Sequence, residues 1–332
     1  MAELVFVGCY TGEAGNGTGI TTFSRSAAGE LHEVASLALE SPSWLTRHPS
    51  LPVLYAVNET ATGEVTALSF DDAGKLSVLG TAETGGAHPC HLAVTPDGRF
   101  LLCANYTGGS LAVFALSPSG SIEARTALVR HEGSGPRTDR QEAAHVHMAV
   151  PGPGMVSAVD LGTDEIRSYT LSSDGSVELL AVSSLPAGTG PRQLVRRPGT
   201  DLAYVVGELA GTVVTVRETS PGAFEVVAST PSTLSSVTPN LVAHLELTGT
   251  RMYVSNRGPD CVTEFALDEA AAVADQACGA NPRHFALVDG TCYVAAQSED
   301  AITAFALTAS GEAELKYYPT GSPTFVLPVS LP

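Results

Sequence analysis

No stretch of this chain approaches the roughly 18 consecutive apolar residues that a membrane-spanning helix needs. Its amino terminus, MAELVFVGCYTGE, places no basic residue before a short apolar run. Neither export nor membrane insertion is expected, and a cytoplasmic location is. Basic residues are scarce: 17 Lys plus Arg stand against 35 Asp plus Glu, for a formal net charge of −18. Such a surface repels nucleic acid and anionic lipid, so neither is expected as a partner. The six cysteines contain no CxxC pair, and neither GxSxG nor HExxH occurs. A structural zinc site, a nucleophile elbow and a zincin centre are all disfavoured on that ground. Without an export signal, Cys9, Cys90, Cys103, Cys261, Cys278 and Cys292 are read as reduced thiols, with Cys9, Cys103 and Cys292 inside buried strands.

What the chain does have is glycine, 33 residues of it, and a unit that recurs seven times. One segment is proline, two residues, then an apolar residue: SPSWL ending at Leu45, HPCHL at Leu92, GPRQL at Leu194, NPRHF at Phe285 and SPTFV at Val326, with looser copies at Met148 (HVHM) and Leu245 (VAHL). A second is a short apolar strand with a polar end: LVFVGCY, VLYAVNE, LLCANY, VSAVDL, LAYVVGE, RMYVSNR and TCYVAAQ. A third is a β-branched or aromatic strand running into a small-residue turn, as in ITTFSRSAAG, VTALSFDDAG, LAVFALSPSG, IRSYTLSSDG and ITAFALTASG. VVTVRETSPG and the degraded VTEFALDEAA complete that set. Strand-length runs separated by Gly, Pro, Ser and Asp turns read as antiparallel meanders. Seven units in 332 residues, about 47 each, have the period of four-stranded propeller blades. An all-β, seven-bladed propeller occupying 1–332 as one domain is therefore expected, in preference to two separate all-β domains. The first unit begins at its second segment, and its missing first segment is SPTFVLPV at the carboxyl end. That register predicts a blade closed by amino- and carboxyl-terminal strands, which removes the open edges of a linear array.

Equivalent positions in a propeller form rings around the central channel. In the first segment, Trp44, His91, His147, Gln193, His244, His284 and Phe325 align at one level. Arg192 and Arg283 align beside them with Ser43, Cys90, Val146, Ala243 and Thr324. The polar ends of the second segment align Tyr10, Glu59, Tyr106, Leu161, Glu208, Arg257 and Gln297. Ionisable groups converging in a concave site are the default active-site hypothesis; the bland alternative is that they bridge blades through hydrogen bonds. An insertion, EGSGPRTDRQEAAHVH, brings Arg137, Asp139 and Arg140 towards the entrance ahead of His145 and His147. Asp160 and Asp164 lack the spaced carboxylates of a calcium loop and are read as caps of turns and strand ends. Neither a metal nor a cofactor is expected.

The stretches GSGPRTDRQEAAHVHMAV, VDLGTDEIRSYTL, GTGPRQLVRRPGTDLAYVVGEL, MYVSNRG and NPRHFAL together resemble the seven-bladed lactonase family, along essentially the whole chain. That family groups bacterial 6-phosphogluconolactonases with the fungal carboxymuconate lactonizing enzyme. The resemblance implies chemistry on a small anionic lactone, with catalytic residues at His147, Arg192, Glu208 and Arg257. Around them His91, His244, Arg283, His284, Gln297, Glu59 and Tyr106 are expected to bind substrate. Hydrolysis of an acidic or phosphorylated sugar lactone is the first expectation. Closure of an unsaturated diacid to a lactone, or a non-catalytic scaffold, are the alternatives, and a calcium-dependent gluconolactonase is disfavoured by the His and Arg content of the ring. With Glu208 held ionised between arginines, His147 is expected to move the proton. Gln193 stands where GPRH is common in the family, a departure that bears on substrate choice.

Overall fold

A computed structural model describes residues 3–267, 271–307 and 313–331. The expected turns closing VTEFALDEAA and ITAFALTASG lie partly outside these residues. The chain forms seven four-stranded antiparallel sheets arranged as propeller blades. Six are continuous in sequence. The remaining one pairs Pro323–Ser330 with Glu3–Cys9, followed by Gly19–Arg25 and Leu31–Ala38, so the ring is closed by strand pairing between the two ends.

Burial along a blade accounts for the sequence pattern. The second strands, such as Val53–Asn58, Phe100–Asn105 and Met155–Asp160, are buried at every residue, because neighbouring sheets cover both their faces. Hence the near-continuous apolar runs of the second segment. The outermost strands, such as Leu31–Ala38 and Leu76–Glu83, are exposed along most of their length. The core is divided into seven clusters, each between two adjacent blades. Leu4, Phe6, Ile20, Leu45, Leu54 and Leu68 join the closure blade to the next one. The glycines that end the small-residue turns, Gly29, Gly74, Gly120, Gly175 and Gly222, all have φ between 74° and 82°, a left-handed conformation that side chains with a Cβ rarely adopt.

One local irregularity positions the site. Where the innermost strand meets the second, the register shifts by a residue, between Pro89 and His91, Val146 and Met148, Pro191 and Gln193, and Pro282 and His284. Such a β-bulge leaves one residue unpaired and re-aims its side chain. The residues so released are Cys90, His147, Arg192 and Arg283, with Thr324 at the matching shift of the closure blade. This corrects the sequence alignment by one position in a single blade. His147, not Val146, is the counterpart of Arg192, and Met148 takes the place beside His91 and Gln193. The looser copy HVHM has no proline to mark its register.

Candidate active site

The released side chains and the ends of the second strands converge on one mouth of the channel, around a pocket of about 320 Å³. That is the lower end of the range for small-molecule sites. Glu208, buried at the end of Leu202–Gly207, stands on one wall. Its Oε2 accepts from Arg192 Nη1 at 2.9 Å and faces Arg257 Nη2 at 3.2 Å, while Oε1 accepts from Arg140 Nη2 at 3.0 Å. Burial alone would raise this carboxyl, but Arg257, Arg192, His147 and Arg140 together outweigh it and hold the group well below the usual carboxylate range. The arginines are fixed from behind. Arg192 Nε donates to the Ala243 carbonyl at 2.7 Å and Arg257 Nε to the Leu241 carbonyl at 3.0 Å. Burial lowers the Arg257 guanidinium to about 9.

His147 sits between Arg192 and Cys90. Its Nε2 accepts from Arg192 Nη1 at 2.6 Å, and its Nδ1 lies 3.7 Å from Cys90 Sγ. Burial and the adjacent Arg192 push its pKa well below the ordinary histidine value. The ring is held neutral with Nε2 on the Arg192 guanidinium, a contact that orients the two side chains against each other. Cys90 is held as a thiol, since burial pushes it well up.

The facing wall is built from Glu59, Tyr10, Ser43 and Arg283. Tyr10 Oη donates to both oxygens of Glu59 at 3.1 Å, Ser43 Oγ donates to Glu59 Oε2, and Arg283 Nη2 donates to Tyr10 Oη at 2.9 Å. The Arg283 guanidinium also stands 4.9 Å above the Tyr10 ring, a cation–π arrangement. Gln297 does not line the pocket; it accepts from Arg283 Nη1 at 3.4 Å and from Asn281 Nδ2 at 3.1 Å.

The inserted loop supplies the rim. Arg140 reaches in from it to Glu208 and to Tyr106 Oη, 3.2 Å away, whereas Arg137 pairs with Asp139 at the surface. Buried Gln141 pins the loop, donating to the Leu161 carbonyl at 2.8 Å and accepting from the Arg137 amide at 3.1 Å. Asp160 holds the loop's far end by accepting from the His145, Gly162 and Thr163 amides, and Asp164 accepts from Gly188 and Gly190. Both aspartates thus cap backbone, as the sequence predicted. His145 stacks against Tyr106 with centroids 4.6 Å apart and supports that wall from outside the pocket.

Three histidines expected to touch substrate lie one level deeper. His91, His244, His284 and Phe325 are buried, with half-buried Trp44, in a contiguous aromatic layer across the channel. Successive centroids are 4.3 Å (Trp44–His91), 4.2 Å (Trp44–Phe325), 3.9 Å (His284–Phe325) and 3.8 Å (His244–His284). Burial drives His91 down to about 3, a neutral ring suited to a floor. Trp44 alone of these five also lines the pocket. Gln193 belongs to the same level, exchanging two hydrogen bonds with the Leu245 backbone at 2.7 and 3.3 Å. The departure from GPRH is therefore a blade-to-blade contact beneath the pocket. Among the described residues no cluster of three His, Cys, Asp or Glu side chains is placed to hold a metal ion. Of the residues expected to act on substrate, the pocket unites His147, Arg192, Glu208, Arg257, Arg283, Glu59 and Tyr106. Arg140, which the inserted loop was expected to bring to the entrance, joins them, as do Tyr10 and Ser43, which lay in the aligned rings without being singled out.

The family model for the seven-bladed β-propeller lactonase matches residues 4–328. The chain belongs to the seven-bladed β-propeller lactonase family. The 6-phosphogluconolactonase of Bacillus subtilis is 31% identical over 275 residues, covering 80% of this chain and 77% of the relative. The periplasmic gluconolactonase of Pseudomonas aeruginosa superposes with a TM-score of 0.91 at 26% identity, covering 100% of both chains. A protein from Lactobacillus plantarum reaches the same TM-score at 27% identity, over 99% of this lactonase propeller and 100% of that chain. The four arginines and two glutamates described above are thus the polar furniture of a lactonase propeller's mouth.

Proposed function

We propose that this lactonase propeller hydrolyses a small lactone carrying an acidic group, with a phosphorylated sugar lactone as the leading substrate. The observation that carries the reading is the gathering of Arg140, Arg192, Arg257 and Arg283 around one pocket in a chain of net charge −18. With only Glu59 and Glu208 to offset them, the pocket retains positive charge against the field of the whole molecule. Such concentration costs stability unless an anion fills it. Guanidinium pairs bind carboxylate or phosphate through two parallel hydrogen bonds. Arg257 lines the pocket beside Glu208, and its guanidinium is the nearest candidate to face an oxyanion forming at the lactone carbonyl. Glu208, locked as a carboxylate, keeps Arg192 and Arg257 in place. The curated relative named 6-phosphogluconolactonase supports the choice of a sugar phosphate.

The test is lactone hydrolysis by pH-stat, offering 6-phosphogluconolactone beside gluconolactone, with the uncatalysed rate subtracted. The expected result is faster turnover of the phosphorylated lactone and a loss of about 100-fold in kcat/KM for Arg192→Ala, the effect of removing one buried charge-assisted contact. No turnover above background on either lactone refutes hydrolysis and directs attention to ring closure of an unsaturated diacid.

A further inference from the structure

The two carboxylates of the pocket have opposite surroundings. Glu208 is gripped by three guanidiniums. Glu59, on the facing wall, is held by two hydroxyls, Tyr10 Oη and Ser43 Oγ, and its nearest guanidinium, Arg283, reaches it only through Tyr10. Hydroxyls can serve either protonation state of a carboxyl, because each can donate or accept. Guanidiniums serve only the ionised one. Where two carboxyl groups share a site and their environments differ in this way, the acid–base roles divide between them.

The geometry points to Glu59 as the group that carries the proton in lactone hydrolysis, a role that rests on the lactonase reading above. Glu59 takes a proton from a water molecule as that water's oxygen bonds to the lactone carbonyl carbon, with the carbonyl electrons moving onto the oxyanion faced by Arg257. When the intermediate collapses, the bond between carbonyl carbon and ring oxygen breaks and Glu59 returns the proton to the departing ring oxygen. The residue ends as it began, and the new carboxylic acid loses its own proton to solvent. No oxidant, metal or covalent nucleophile enters.

Burial raises the Glu59 carboxyl, with Arg283, Ser43, Tyr10 and Arg192 opposing only in part, and this makes it a stronger base than Glu208. The titratable and charged groups facing Glu59 are Tyr10, Arg283, Arg192 and Cys90; burial drives Tyr10 and Cys90 upward, so neither loses its proton near neutrality.

The experiment is the pH profile of kcat/KM on whichever lactone the wild type hydrolyses. A base works only when unprotonated, so the rate is expected to fall as pH drops through an inflection lying above the ordinary glutamate value. Glu59→Gln, of the same shape, should lose at least about 100-fold in kcat and lose that inflection. Its melting temperature should stay near wild type, and its affinity for 6-phosphogluconate, measured by calorimetry, should be no weaker than wild type, since one of the pocket's two negative charges is gone. His147→Asn should keep the inflection, and added formate should restore turnover to Glu59→Ala. A wild-type inflection at or below the ordinary glutamate value overturns the proposal without any variant. So does Glu59→Gln turning over at the wild-type rate, or an inflection that disappears in His147→Asn. A wild type with no lactone turnover fails earlier and takes the lactonase reading with it.

Discussion

Glu208 shows how one side chain organises a pocket. It is the shared partner of Arg140, Arg192 and Arg257, and removing its charge strands buried guanidiniums, which typically costs about 3–5 kcal/mol. Glu208→Gln should therefore unfold at lower denaturant concentration at pH 7, by that amount in a urea titration. The sign with pH follows from the depressed carboxyl. Its stabilisation is complete above the ordinary glutamate value and is lost only as pH falls through the lower folded value. The gap between wild type and variant should stay constant from neutrality down to about pH 4.5 and narrow below it. A gap that closes above pH 5 would contradict the arginine cage. At this scale the sequence was informative about which residues meet and less so about what they do. His147 could be found by motif, but its role turns on a 2.6 Å contact with Arg192 that no spacing encodes.

The elements that aim these residues are the bulges at the inner strands and the loop that carries Arg140. Asp160 anchors that loop by accepting three backbone amides while its other oxygen, Oδ2, meets His131 Nδ1 at 2.7 Å, all in a fully buried setting. Asp160→Ala leaves those donors without an acceptor and should cost about 3 kcal/mol in urea unfolding. Because Arg140 is unmoored, KM should rise more than kcat falls, and an unchanged KM would show that the loop holds its position by other contacts. The repeat made the strands legible, since each segment's apolar pattern follows from where its strand lies in the blade. The bulges were not legible. An extra residue in a ladder leaves no mark in composition, so where proline is missing, in HVHM, the alignment sets His147 level with His91 and Gln193 and Val146 beside Arg192, one position off. The same slip hid the fact that His91, His244 and His284 belong to a layer below the pocket.

At the scale of the whole molecule the ring is held shut by the pairing of Glu3–Cys9 with Pro323–Ser330, and Phe325, Val326 and Val329 pack into the two clusters flanking that blade. The register of the first and last segments announced this closure in the sequence. A chain ending at Gly321 should lose its cooperative thermal transition in circular dichroism. A permutant that joins the natural ends and opens between the exposed Pro118 and Ser119 should keep it, because Glu3 and Ser330 are paired neighbours. The aromatic layer of Trp44, His91, His244, His284 and Phe325 has a different consequence. It floors the pocket, so whatever enters from the mouth leaves by the mouth. If the proposed hydrolysis of an acidic lactone holds, the hydroxy acid left by ring opening keeps the substrate's anion and gains a second one, and it departs past Arg140 by the route the next lactone takes in. Traffic of this kind makes the product a competitor for the empty enzyme, so progress curves should slow sooner than substrate depletion explains, and added product should raise KM while leaving kcat untouched.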